Sequence, residues 1–370
     1  MRNAAQKASE EEILFAEDIP PRPKPTLVRR LPALDGLRGL AVIEVFLYHA
    51  RTPPKNSGWI GVELFLALSG FVITRSLLGE WRQTGKISVW DFIKRRVARI
   101  YPALIFLLVG YAGIASLIYR KSYTKIFSEI IPSFFGFANW SRALGSTLPR
   151  EMGHLWSLSV ELQLYLIWAP LVILLLKKSS KSLVGGILFL ATGCLFYRYL
   201  LVYNEISGTF IYNNTICRAL PFIFGSAAAA FVANQYAQSK FENILKVIGT
   251  ILFIAALLYH FYELRYCSLP HWSRRNWNPL LVSLSAAIIV WGISERIIPA
   301  LSNLFSLRPL YYLGSISYGA FLWHYPVLLL FPRAYADYRF IGAAALSLLL
   351  GSLSFELVEK RFLTLNVAPK

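Results

Sequence analysis

An all-α, polytopic integral membrane fold of about ten transmembrane helices is predicted by three features of this sequence. Hydrophobic residues fill 56% of the 370 positions and charged residues only 16%, against roughly 25% charged in an ordinary soluble domain. The apolar residues collect in blocks close to the ~20 that cross about 30 Å of hydrocarbon. Lys and Arg gather between alternate blocks, as topology by the positive-inside rule requires. No soluble domain of useful size fits between the blocks, so the net charge of +18 does not point to nucleic acid as a partner.

Residues 1–33 are polar, acid-rich at Glu10–Glu12, then Pro-rich and basic (PPRPKP, VRR). That composition predicts a disordered cytoplasmic tail rather than a cleavable signal. A transmembrane domain over 34–362 follows, then a short cytoplasmic tail at 363–370. Spans are expected near 35–49, 59–78, 103–119, 154–176, 182–203, 214–233, 246–263, 279–298, 309–331 and 340–358. With the N-terminus inside, cytoplasmic segments carry 22 Lys and Arg and outer segments 12, so both termini are placed in the cytoplasm. The three cysteines (Cys194, Cys217, Cys267) show no CxxC spacing and read as reduced structural thiols. No HExxH pair occurs, and no metal is expected. The triplets NWS at Asn139 and NNT at Asn213 fit the glycosylation pattern, which is common by chance.

The first span carries Asp35, Arg38, Glu44 and His49. One central charge costs roughly 2.5–3.5 kcal/mol on insertion scales, so such groups normally face protein or a watery cavity. Arg38 and His49 are eleven residues apart, which puts them on one helical face about 16 Å apart along the axis. Asp35 lies within reach of Arg38, and Glu44 points elsewhere and needs its own partner. A snorkelling Arg and a hydrogen-bonded interfacial His are the plainer explanation.

Ahead of the third span stand Lys94, Arg95, Arg96 and Arg99. Arg96 and Arg99 share a face, so their forked guanidiniums suit a multiply phosphorylated cytosolic ligand; ordinary positive-inside topology also accounts for the cluster. A P-loop is absent, which disfavours nucleotide hydrolysis. The fourth span opens with His154, Trp156, Ser157, Ser159 and Glu161. An imidazole, a hydroxyl and a carboxylate on one inward stripe can hold an incoming hydroxyl acceptor, or act as interhelical glue. In the second span Gly61 and Gly70 read as packing residues, and Glu63 needs a cationic partner, for which Arg38 or Arg75 would serve. His324, just before Pro326, is weighted toward a structural hydrogen bond. His260 and His271 receive no role. The outer loop 271–278 (HWSRRNWN) fits either sugar stacking or an interfacial aromatic belt.

Together these stretches resemble the membrane acyltransferase-3 family. LDGLRGLAVIEVFLYHA, with Arg38, ten residues and then His49, is similar to its signature. WIGVELFLALSGFVIT, KRRVARIYPAL, HLWSLSVELQLYL, LGSISYGAFLWHYP and LVEKRFL match further motifs in the family's order, over roughly 30–362. The resemblance implies a ten-helix bundle in a bacterial cytoplasmic (inner) membrane. It implies an O-acyltransferase, most often an O-acetyltransferase, that moves an acyl group from cytosolic acetyl-CoA or another acyl-CoA to a carbohydrate or glycolipid hydroxyl at the outer face.

Carried over residue by residue, His49 is the catalytic imidazole, with Arg38, Asp35 and Glu161 in the catalytic set. Arg95, Arg96, Arg99 and Arg75 fall on the donor side; His154, Trp156, Ser157, Glu63 and His324 fall on the acceptor side. The sequence departs from the family where Glu63 replaces Asp, Leu162 replaces a second Glu and Arg361 replaces Pro. Some members carry a further C-terminal esterase-like domain; the expectation here is action alone or with a separately encoded partner. The acceptor, among lipopolysaccharide, exopolysaccharide and other glycans, stays open, as does the oligomeric state. The alternative is a glycan or lipid transporter or flippase, with the polar residues lining a pathway; no inverted repeat of the kind common in transporters is visible.

Overall fold

The structure, a computed structural model, describes residues 31–50, 59–146, 148–178, 180–234, 242–266, 277–331 and 336–365. The expected tails lie outside the described residues except for 31–33 and 363–365, as does the 271–278 loop except for its last two residues. Among the described residues there is no strand.

The charged first span is α1 (Pro32–Ala50), followed by α2 (Ile60–Thr84) and α3 (Val89–Leu117). Two short helices, α4 (Tyr123–Phe134) and α5 (Ala138–Ala143), precede a 3-10 turn at Arg150–Leu155 that runs into α6 (Trp156–Lys178). Then come α7 (Ser180–Tyr203), α8 (Gly208–Asn213), α9 (Thr215–Arg218) and α10 (Leu220–Asn234). The chain continues through α11 (Glu242–Tyr266), α12 (Trp277–Ser294), α13 (Pro299–Phe305) and α14 (Arg308–Leu330). Last is α15 (Ala336–Leu353), which passes through a π-helical stretch, Ser354–Glu359, into α16 (Lys360–Leu365).

A helix stands at each of the ten expected span positions. Six of the described helices are long and apolar enough to cross a membrane, and α12 with α13 qualifies only as a pair bent by 93°. Three charges interrupt α1, and the apolar parts of α10 and α11 are shorter, at Leu220–Ala233 and Val247–Glu263. The protein is therefore an all-helical, multi-pass membrane protein whose individual spans differ in length and polarity.

One boundary differs from the expectation in a way that matters for the site. Helix α3 begins at Val89 rather than near 103, capped by the Ser88 hydroxyl, which accepts from the Asp91 N–H at 3.2 Å. The basic run is thus the first turns of the spanning helix itself. Pro102 lies inside it. Tyr318 on α14 donates to the nearby Ile100 carbonyl at 2.9 Å.

The bundle is built on two close helix pairs, α1 with α14 and α2 with α10. Small residues permit both approaches. A Cβ on Gly314 would lie 1.7 Å from the Asp35 carbonyl oxygen, and one on Gly70 would lie 2.0 Å from that of Phe222. Gly314→Ala is expected to cost at least the ~1–3 kcal/mol typical of overpacking. A lowered thermal unfolding midpoint in detergent would show it; an unchanged midpoint would mean the two helices do not meet so closely.

Asn139 is fully buried and ties α5 to the start of α9 by donating to the Asn213 carbonyl at 3.0 Å and Thr215 Oγ1 at 2.9 Å. Gln163 of α6 donates to Asn139 Oδ1 at 2.9 Å. Both glycosylation triplets therefore start on buried asparagines (Asn139 and Asn213), which rules out their use as acceptors in the folded protein.

Candidate active site

Helix α14 brings the site together because Pro326 lies inside it. Proline has no N–H, so the Leu322 carbonyl four residues earlier lacks its helical donor. His154 supplies one: its Nε2–H lies 3.0 Å from that oxygen. In the same turn, His324 donates from Nδ1 to the Phe321 carbonyl. With Nδ1 protonated, the neutral ring keeps a lone pair on Nε2. That Nε2 lies 3.0 Å from Nδ1 of His49.

His49 Nδ1–H is accordingly shared between His324 Nε2 and the Val45 carbonyl, also at 3.0 Å. The free lone pair of His49 is left on Nε2. Tyr325 packs against its ring with centroids 4.6 Å apart, and Tyr48 lies 5.0 Å away on the edge. His154 and His324 are buried, whereas His49 is only half-buried. Three histidines cluster here, yet among the described residues no group of His, Cys, Asp and Glu is arranged to hold a metal ion.

A cavity with about 810 Å³ of open space, mouth included, lies beside this cluster, separated from it by Phe321, whose ring is 5.3 and 5.5 Å from those of His154 and His324. Arg38, Arg96, Arg99, Glu161 and Tyr165 stand in its wall, with Ser157 and Phe321 at the histidine end. Arg38 is held by Asp35 at 2.7 Å. The Arg96 guanidinium lies near the Phe92 and Tyr165 rings, 5.5 and 5.9 Å from their centroids, and its buried Nε has no hydrogen-bond partner. Neither Arg96 nor Arg99 has a hydrogen bond or ion pair among the described residues. Glu161, the one acid in this wall, accepts from the Ser69 and Tyr165 hydroxyls. Three guanidiniums against one carboxylate make the cavity a receptor for anions.

A second, more open cavity of about 800 Å³ has Gly153 and Tyr325 in its wall. His154 and His324, whose rings each pack on Phe321 of the first wall and Tyr325 of the second, form a septum between the two, with His49 bonded to it through His324. Along α14, Phe321 faces the first cavity and Tyr325 the second, with His324 between them; Gly153 and Ser157 bracket His154 in the same way. Four residues are about one helical turn, or 6 Å.

The expected site residues divide accordingly. Arg38, Arg96, Arg99, Ser157 and Glu161 share the basic cavity, His154 and His324 form the septum, and His49 is bonded to it through His324. Asp35 pairs with Arg38 and is not itself in the cavity wall. Arg95 is paired with Glu80 at 2.9 Å, outside the cavity wall. Arg75 stands away from it, its charge facing Glu295. Glu63 finds Arg218 at 2.7 Å rather than Arg38 or Arg75. Trp156 packs its face on Arg218, 4.7 Å away, and neither it nor Glu63 lines either cavity. Glu44 pairs with His260 at 3.0 Å, giving that unassigned histidine a structural role.

Sequence reasoning missed Tyr165, Tyr318 and Tyr325. Tyr165 was within reach, since it follows Glu161 at i+4 on one face. Tyr325 carried no signal beyond its place beside His324.

No solved structure matches this chain. A protein-family model described as an acyltransferase domain matches residues 31–356. The peptidoglycan O-acetyltransferase OatA of Listeria monocytogenes is 30% identical over 350 residues, which cover 89% of this chain and 55% of that protein. YrhL of Bacillus subtilis is 29% identical over 355 residues, covering 90% and 55%. The O-acetyltransferase OatA of Staphylococcus aureus is 26% identical over 348 residues, covering 90% and 57%. The chain spans just over half the length of these curated relatives. Since the family match runs through every motif around the basic cavity and the histidine septum, the chain belongs to the acyltransferase-3 family.

Proposed function

We propose that this protein is a membrane O-acyltransferase, most simply an O-acetyltransferase, using acyl-CoA from the cytoplasm and a glycan hydroxyl at the outer face. The observation that carries this reading is the pair of guanidiniums, Arg96 and Arg99, without hydrogen bonds or ion pairs among the described residues, in a cavity whose Phe321 wall packs on His154 and His324, the latter in contact with His49. The CoA phosphates would lie against them. Arg38 stands farther in, and the pantetheine arm spans the about 16 Å from Arg38 to His49. The names of the relatives make peptidoglycan the first acceptor to test, ahead of lipopolysaccharide or exopolysaccharide.

In direct transfer the acceptor oxygen bonds to the thioester carbonyl carbon as its proton passes to His49 Nε2. The C–S bond then breaks, and the proton returns to the departing thiolate. Such general-base help is worth about 10²–10⁴-fold. A transient acyl-imidazole on the same nitrogen is the two-step version, and trapping acylated His49 with donor alone would distinguish them. In both, His324 keeps the lone pair on the reacting side of the His49 ring.

The test is acetyl-CoA binding to purified protein, wild type against Arg96→Ala/Arg99→Ala. Saturable binding, weakened at least tenfold in the double variant and by high salt, is the expected result. Folded wild-type protein that binds no acyl-CoA would favour a transporter instead.

A further inference from the structure

We infer that the second cavity is an acceptor site selective for glycans bearing an anionic substituent, a carboxylate or a phosphate close to the hydroxyl that is acylated. This deepens the reading above and rests on it for the identity of the acceptor.

Three observations carry it. First, Arg142 and Arg150 both line this cavity, and no acidic residue does. Arg142 is half-buried and donates to the Gly153 carbonyl, which uses part of a guanidinium with five N–H donors. Arg150 is exposed and makes no hydrogen bond or ion pair among the described residues. Two positive groups in one concave wall add their fields on whatever enters.

Second, the cavity lies one ring away from His49. Tyr325 belongs to its wall and packs 4.6 Å from the His49 ring, and the Arg142 charge faces both His49 and His154. An anion held by the arginines would thus set a nearby hydroxyl against His49.

Third, the remaining wall suits a sugar. The Tyr325 ring offers a stacking face, and Thr209 and Ser146 offer hydroxyls. By contrast, the acceptor-side residues Trp156 and Glu63 are committed to Arg218. Arg142 and Arg150 form bidentate pairs with carboxylate and phosphate alike, so the anion's chemistry rather than its source is assigned.

Binding of acceptor fragments without acyl-CoA tests the site independently of catalysis. The probes are a disaccharide with a lactyl carboxylate on one sugar, its methyl ester, a sugar phosphate and the matching neutral sugar. Wild-type protein is expected to bind at least one anionic probe tenfold or more tightly than its uncharged counterpart. Which anion is preferred identifies the source. Arg150→Ala should remove a large part of that preference, Arg142→Ala nearly all, and Arg142→Lys should restore some.

Equal affinity for charged and uncharged probes would overturn the inference. So would a preference that survives Arg150→Ala and Arg142→Ala in protein with a wild-type unfolding midpoint. Anion-selective binding with no acyl transfer from acetyl-CoA would uphold the site and sink the enzymatic reading instead.

Discussion

Replacing His49 with alanine is expected to lower acyl transfer by about 10²–10⁴-fold while leaving acetyl-CoA binding unchanged. The split follows from geometry, because the basic cavity is walled by Arg38, Arg96 and Arg99, and His49 is not in that wall. Transfer rate and donor affinity measured on one preparation would show it, and a variant that transfers at the wild-type rate would remove the imidazole from the mechanism. His324 acts through His49 and should behave differently. His324→Leu deletes the acceptor for the Nδ1–H of His49, so the rate should drop roughly tenfold, the order of one hydrogen bond near 1.4 kcal/mol. His324→Gln places an amide oxygen near the lost Nε2 and should recover most of it. Equal losses in the two variants would indicate a packing role.

Glu63→Ala is expected to destabilise the fold by about 3–5 kcal/mol, because it leaves the Arg218 charge buried without its carboxylate. Both residues are only 1% exposed, and their side chains meet at 2.7 Å. Arg218 also sits between the Trp156 and Tyr212 rings, 4.7 and 4.8 Å from their centroids. The damage should therefore appear as a lower unfolding midpoint and poor yield. Adding Arg218→Met should restore part of the loss by removing one stranded charge, while buried Arg198, which also faces Glu63, keeps its own. A stable Glu63→Ala protein with weakened acceptor binding would return Glu63 to the acceptor side.

By itself the sequence determined the class of the fold and the family. Apolar blocks of spanning length report burial in lipid directly, one residue at a time, and the spacing of Arg38 and His49 needs only helical geometry. The motifs around them were legible for the same reason: each lies within a single helix, where periodicity decides which residues share a face. What joins separate helices was decided by the tertiary structure alone. Nothing in local spacing could pair Glu63 with Arg218, Glu44 with His260, or Arg95 with Glu80, because each partner is chosen by how helices pack and cross. The same holds for the histidine septum. Pro326 frees a carbonyl on α14, His154 arrives from the turn before α6 to take it, and His324 meets His49 only because Gly314 lets α1 and α14 approach. A proline and a glycine in the sequence give the permission; the packed bundle decides what uses it.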